Sequence, residues 1–79
     1  MIHDTAENII RLAAANLETG TPAESMCIVL PSGTRCGAYD EELRAAGLAK
    51  ACIASPDTEE QRTEILSALA KASDFELFY

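Results

Sequence analysis

The stretch MCIVLPSG, residues 26–33, decides the fold that this sequence predicts. Its first five residues are apolar and include the β-branched pair Ile28 and Val29, a composition typical of a strand. The Pro-Ser-Gly that follows fits a type I turn in which Gly33 adopts the left-handed conformation. Such a turn is typical of a three-residue hairpin loop with a bulge. We therefore expect an antiparallel return strand over residues 34–39.

The chain before this stretch carries the pattern of an amphipathic helix over residues 5–18. Asp4 and Glu7 have the spacing of a capping box, and Gly20 stands where helices often end. Apolar residues recur at helical spacing along one side: Ala6, Ile9, Ile10, Ala13 and Leu17.

After the expected hairpin, the pattern favours a short helix and then a third strand. Asp40 is placed to cap a helix over residues 41–46, and Gly47 is placed to end it. Residues 48–54 favour a strand, with alanines weakening the pattern.

A second long helix is predicted to begin at Ser55-Pro56, with serine as N-cap and proline at the first helical position. It runs to about Ala72, and acidic residues in its first turn suit the helix dipole. Residues 75–79, FELFY, favour a last short strand. The buried stripe of this helix is expected to comprise Ile65, Leu66, Leu69 and Ala72.

The order of elements is therefore α-β-β-α-β-α-β, and it predicts an α+β fold. We expect a two-layer sandwich, with a mostly antiparallel sheet of up to four strands and the two main helices on one face. No repeat, linker or low-complexity segment divides the sequence, so residues 1–79 are expected to form a single domain.

The composition is strongly acidic, with a formal net charge of −7. Phosphate backbones repel such a chain, so direct binding to nucleic acid is disfavoured. Two interpretations of the charge stay open. It could serve solubility alone, or it could match a basic surface on a protein partner and steer association.

The carboxylates cluster at the predicted helix starts, where the helix dipole favours them and could alone explain them. The functional alternative is an acidic patch that binds a partner. The residues of that tentative site are Asp40, Glu41, Glu42, Asp57, Glu59 and Glu60.

The last five residues hold three of the four aromatic side chains. Strand alternation places Phe75, Leu77 and Tyr79 on one face and Phe78 on the other. We expect Phe75 and Leu77 to pack inward, and Phe78 to lie at a homodimer or partner interface. Tyr79 joins the tentative partner-binding site, because a large apolar group at this position suggests a contact surface.

No catalytic residue, cofactor site or metal site is predicted, so we do not expect an enzyme. The three cysteines form no Cys-x-x-Cys pair, and the hairpin places Cys27 and Cys36 on opposite faces, where no disulfide could join them. Cys36 follows Arg35, but the single histidine, His3, is a poor candidate for its base. We expect Cys27, Cys36 and Cys52 to be buried as small apolar groups. The turn at residues 31–34 lacks the lysine and the helix of a phosphate loop.

No apolar run approaches the roughly 18 residues that span a bilayer. The first four residues lack the basic and apolar regions of a signal peptide. We therefore expect a cytoplasmic protein that does not bind membranes.

The function that these patterns favour is a small acidic protein-interaction module, an inhibitor or regulator that binds a basic surface of a protein partner. In size and charge the chain is similar to antitoxins and to phage-encoded inhibitors such as anti-CRISPR proteins, an analogy of class. The alternative is an accessory subunit or small-ligand-binding domain of a larger enzyme system. A homodimer is a further hypothesis, because a small alanine-rich core gains from extra burial.

Overall fold

Helices and strands alternate along the part of the chain that the computed structural model describes, residues 5–72 and 74–79. One turn of 3-10 helix, Ala23–Ser25, precedes the first strand. The elements are α1 (Ala6–Glu18), β1 (Met26–Val29), α2 (Asp40–Ala45), β2 (Cys52–Ala54), α3 (Glu59–Lys71) and β3 (Glu76–Phe78).

The sheet of the described residues has three parallel strands in the order β2-β1-β3. β1 is central, and its Cys27 lies between Cys52 of β2 and Leu77 of β3. Parallel neighbours need a crossover connection, which α2 supplies between β1 and β2 and α3 between β2 and β3. The predicted antiparallel sheet of up to four strands is therefore wrong.

The predicted hairpin fails because both edges of β1 are occupied by other strands. Residues 34–39 form turns and no strand. The chain does turn after β1, where Thr34 N donates to Pro31 O at 3.2 Å and Gly33 has φ +84°. However, Gly33 N donates to Pro56 O at 2.9 Å, so the loop is tied to the end of β2. Every residue of β1 is buried, as is typical of a central parallel strand.

The helix α1 confirms the amphipathic pattern, with a different cap. Thr5 is the N-cap, and its Oγ1 accepts a hydrogen bond of 3.2 Å from Asn8 N. The predicted cap Asp4 lies outside the described residues. The buried side of α1 carries Ala6, Ile9, Ile10 and Ala13.

The helices α1 and α2 lie side by side and run in the same direction. Near their starts, Tyr39 Oη donates to Glu7 Oε2 at 3.1 Å. Near their ends, Gly47 (φ +81°) approaches so closely that a Cβ there would lie 3.0 Å from Leu17 Cδ2. Both helices pack on the same core, which comprises Ala6, Ile9, Ile10, Ala13, Met26, Ile28, Leu30, Leu43, Leu48 and Phe78.

The helix α3 begins later than predicted. Its N-cap is Thr58, whose Oγ1 accepts from Gln61 N at 3.1 Å, while Gln61 Oε1 accepts from Asp57 N at 3.0 Å. Ser55 and Pro56 lie between β2 and α3 and are not helical. The carbonyl oxygen of Pro56 accepts the hydrogen bond from Gly33 N in the loop after β1. The expected stripe is only half-buried at Ile65, Leu66 and Leu69, and Ala72 is exposed.

The structure reverses the predicted roles of Phe78, in β3, and Phe75, directly before it. Phe78 is in register with Ile28 and is only 5% exposed in the core, whereas Phe75 is 39% exposed. The expectation that Phe78 lies at an interface while Phe75 packs inward is wrong. The strand β2 is also shorter than the predicted residues 48–54, because Leu48 packs in the core before the strand begins.

The two long helices lie on opposite faces of the sheet. Phe78 packs in the core with α1, whereas Leu77 lines a groove with Leu66 of α3. Successive residues of a strand point to opposite faces, so α1 and α3 cover different sides. The prediction of two main helices on one face is therefore also wrong. Within the described residues, none of the helices has both the length and the apolar character to cross a bilayer.

Candidate interaction surfaces

The parallel sheet brings the predicted acidic residues to one edge, the carboxyl edge, where β1, β2 and β3 end. A helix that follows a strand in a parallel crossover begins at that edge, and so do α2 and α3. Asp40, Glu41 and Glu42 form the first turn of α2, and Glu59 and Glu60 open α3, with Asp57 just before it. All six side chains are exposed. Because α1 runs alongside α2, Glu7 in its first turn belongs to the same edge.

The loop after β1 is tied to the start of α3 by a contact between side chains. Ser32 Oγ donates a hydrogen bond of 3.0 Å to Glu59 Oε1. One predicted acidic residue therefore has a structural role at the carboxyl edge. The carboxylate of Glu59 helps to hold the turn that the sequence assigns to a hairpin.

Among the residues that the structure describes, one charged residue is buried: Arg62, which is 7% exposed. Its Nε donates to the carbonyl oxygen of Leu30 at 3.2 Å, directly after β1. Arg62 was not among the residues predicted to be buried or functional. The signal was its position three residues before Ile65, which places it on the same side of α3 as the apolar stripe.

Tyr39 adds a neutral donor among the carboxylates. The hydrogen bond to Glu7 raises the pKa of Tyr39 above its ordinary value of 10.0, and burial and the charges of Glu7 and Glu42 add to the effect. Nothing in the sequence pattern indicated this contact, because it joins two helix starts that are distant along the chain.

A second surface is the α3–β3 groove, an open depression of about 290 Å³ between α3 and the free edge of β3. The predicted site residue Tyr79 lies here and is 47% exposed. Phe78, the other aromatic residue of the predicted site, does not, because it is buried on the opposite face. The groove is lined by Thr63, Leu66, Ser67, Ala70, Leu77 and Tyr79.

The three cysteines are unbonded and differ in their surroundings. Cys27 is buried, as expected, whereas Cys36 and Cys52 are exposed, contrary to the expectation that they act as buried apolar groups. Burial raises the pKa of Cys27 to about 11, and a hydrogen bond and charge interaction with Cys52 add to the shift. Among the described residues, no group of three or more Cys, His, Asp or Glu is placed to hold a metal ion.

The two surfaces are therefore an acidic sheet edge and an apolar groove between α3 and β3. No family model, curated protein or solved structure matches the chain.

Proposed function

We propose that this chain is a small protein-interaction module whose partner covers the α3–β3 groove. The observation that carries the proposal is the difference between the two long helices. The helix α1 fully buries four apolar residues, whereas Arg62 is the buried residue of α3 and its apolar stripe stays half-exposed. A partner in the groove would cover the exposed parts of Leu66, Leu77 and Tyr79, a gain of about 25 cal/mol per Å² of apolar surface before the entropy cost of association is subtracted.

The free edge of β3 extends the same surface. β3 pairs with β1 on one side only, so its other edge presents backbone groups to a partner. Phe75, directly before β3, is 39% exposed and adds apolar area near this edge. An extended segment of a partner could pair with β3 while its side chains enter the groove.

The net charge of −7 favours a partner with a basic surface. The carboxylates at the carboxyl edge would attract such a partner over several ångströms and speed its association. An inhibitor that covers the basic surface of a nucleic-acid-binding protein would use both the acidic steering and the apolar contact.

The test compares two substitutions of similarly exposed residues. Tyr79, in the groove, is 47% exposed, and Leu12, on the outer side of α1, is 51% exposed. We expect tagged Tyr79→Asp protein to lose partners that the wild type captures from native host extract, and Leu12→Asp protein to retain them. Identical captured sets for all three proteins would contradict the proposal, provided that circular dichroism shows them equally folded.

A second candidate is a small-ligand-binding domain, and the strand order favours it. The chain leaves β1 for β2 on one side and later returns to β3 on the other, so the β1/β3 boundary is a switch point. In parallel sheets, ligands bind beyond the carboxyl ends of the strands at such a point. Ser32 and Gly33 lie in the loop after β1.

The two candidates give different results in a thermal-shift screen. Small cationic compounds are the appropriate probes, because the carboxyl edge is acidic. If the chain is a ligand-binding domain, we expect at least one of these compounds to raise the melting temperature of the wild type but not of the Ser32→Ala variant. If no compound raises the melting temperature and the Tyr79→Asp protein loses its partners, the ligand-binding candidate is ruled out and the interaction module remains.

A further inference from the structure

Cys27 and Cys52 are direct neighbours across two parallel strands. They are register partners on β1 and β2, and in-register side chains of parallel strands point to the same face of the sheet. Adjacent strands lie about 4.7–4.9 Å apart, within the range of roughly 4.4–6.8 Å between the Cα atoms of disulfide-bonded residues. Disulfide-bonded Cβ atoms lie about 3.8 Å apart on average, so a bond between the two cysteines requires their Cβ atoms to approach by about 1 Å from the strand spacing.

The two thiols differ sharply in access to solvent. Cys27 is 1% exposed on the central strand, whereas Cys52 is exposed on the edge strand β2. A reagent in solution therefore reaches Cys52 first, and the neighbour placed to react with the modified Cys52 is Cys27. Burial as a small apolar group explains a cysteine at position 27 but not the exposed one at position 52.

We propose that Cys27 and Cys52 form a redox-active dithiol that a low-molecular-weight disulfide, such as oxidised glutathione, converts to a cross-strand disulfide. The Cys52 thiolate attacks the glutathione disulfide, forms a mixed disulfide and releases one glutathione thiolate. Cys27 gives its proton to water and attacks Sγ of Cys52, which releases the second glutathione. In balance, two protein thiols lose two protons and two electrons, and one small disulfide becomes two thiols.

The disulfide would join the central strand to its edge strand. It would close a loop over residues 27–52, which contains α2 and the whole loop after β1. Separation of β2 from β1 would then require reduction. The oxidation state of this pair would thus decide whether the β2 side of the sheet can open.

The test uses the full chain, reduced and then incubated with oxidised glutathione. Acid stops the exchange, and the protein is then unfolded in urea at about pH 8, alkylated with iodoacetamide and weighed by intact-mass spectrometry. We expect three alkylated thiols before oxidation and an internal Cys27–Cys52 disulfide afterwards, with peptide mapping that shows Cys36 either alkylated or joined to glutathione. Three alkylated thiols after oxidation, or an internal disulfide that joins Cys36 to another cysteine, would overturn the proposal.

Two variants make the test specific. Cys36→Ser removes the exposed loop thiol and should form the Cys27–Cys52 disulfide at the wild-type rate. Cys52→Ser changes an exposed residue and should form no internal disulfide. If Cys52→Ser still loses two thiols to an internal disulfide, the assignment of the pair is wrong.

Discussion

The hydroxyl of Tyr39, directly before α2, donates a hydrogen bond of 3.1 Å to Oε2 of Glu7 in the first turn of α1. This bond joins the starts of two helices whose ends meet where Gly47 approaches Leu17. It also places a titratable phenol beside the carboxylates of the carboxyl edge. The pair therefore offers a way to measure the electrostatics of that edge.

We expect Glu7→Gln to lower the pKa of Tyr39, because the charged acceptor of its hydrogen bond is the largest cause of the upward shift. The measurement is an absorbance titration of the phenolate in a Tyr79→Phe background, in which Tyr39 is the only tyrosine. Glu42→Gln removes a smaller contribution and should lower the pKa less. The same pKa in the Glu7→Gln and parent proteins would contradict the assignment.

The raised pKa of Cys27 predicts that the free energy of unfolding falls at alkaline pH. Burial raises its pKa from 9.0 in the unfolded chain to about 11 in the fold, so the unfolded state releases this proton first. The free energy of unfolding should therefore be unaffected by this group below pH 9 and fall as pH rises from 9 to 11. Urea unfolding of Cys27→Ala and its parent, both carrying Tyr39→Phe, isolates the contribution. Parallel pH profiles for the two proteins would show that Cys27 does not contribute.

The two phenylalanines of the last segment should differ in their contribution to stability. Phe78→Ala empties a core position and should lower the free energy of unfolding by about 3–5 kcal/mol. Phe75→Ala, at a 39% exposed site, should cost less than about 1 kcal/mol and serves as the matched control. Urea unfolding measures both values. Equal losses would place both rings in the core.

Arg62→Met tests the buried charge. The substitution keeps an unbranched side chain but leaves the carbonyl of Leu30 without its donor, which should cost about 1–3 kcal/mol. Arg44→Met, at an exposed position on α2, should change stability by less than about 0.5 kcal/mol. An Arg62→Met protein as stable as the Arg44→Met control would show that the buried contact contributes nothing.

The acidic edge should control association rather than folding. Reversal of Glu41, Glu42 and Glu60 to lysine should reduce the association rate with a basic partner about tenfold or more at low salt. The effect should shrink at high salt, because mobile ions screen exposed charges. Glu59 is left intact because it accepts the hydrogen bond from Ser32. Surface plasmon resonance on the captured partner measures the rate, and an on-rate that ignores salt would contradict the steering role.

The helix α1 and the strand β1 could be predicted within a residue or so, because their signals are local. The pattern of α1 is complete within its own stretch, and the apolar run of β1 needs no partner to be recognised. The direction of the sheet could not be predicted in the same way. The Pro31–Gly33 turn suits a hairpin as well as a loop toward a helix, and the choice depends on β2 and β3, which come later in the sequence.

The predicted site was recovered only in part, for a related reason. The acidic residues were placed at helix starts by local rules, but their common edge follows from the parallel topology. Which of Phe75 and Phe78 is buried depends on the register of β3 against β1, and a shift of one residue exchanges the two faces. No local pattern in FELFY fixes that register.

The central position of β1 has a consequence for the order in which the molecule can assemble. Cys27 of β1 pairs with Cys52 and with Leu77, which both come much later in the sequence. The most apolar strand is therefore synthesised well before either of its neighbouring strands exists. Contacts this distant along the chain slow folding, and an unpaired apolar strand is a point where nascent chains can stick to one another. Residues 1–30 carry four carboxylates, Asp4, Glu7, Glu18 and Glu24, against the single Arg11, and mutual repulsion between chains with this net charge of −3 opposes that encounter. The acidity of this protein would thus protect it on the ribosome before it could serve any partner.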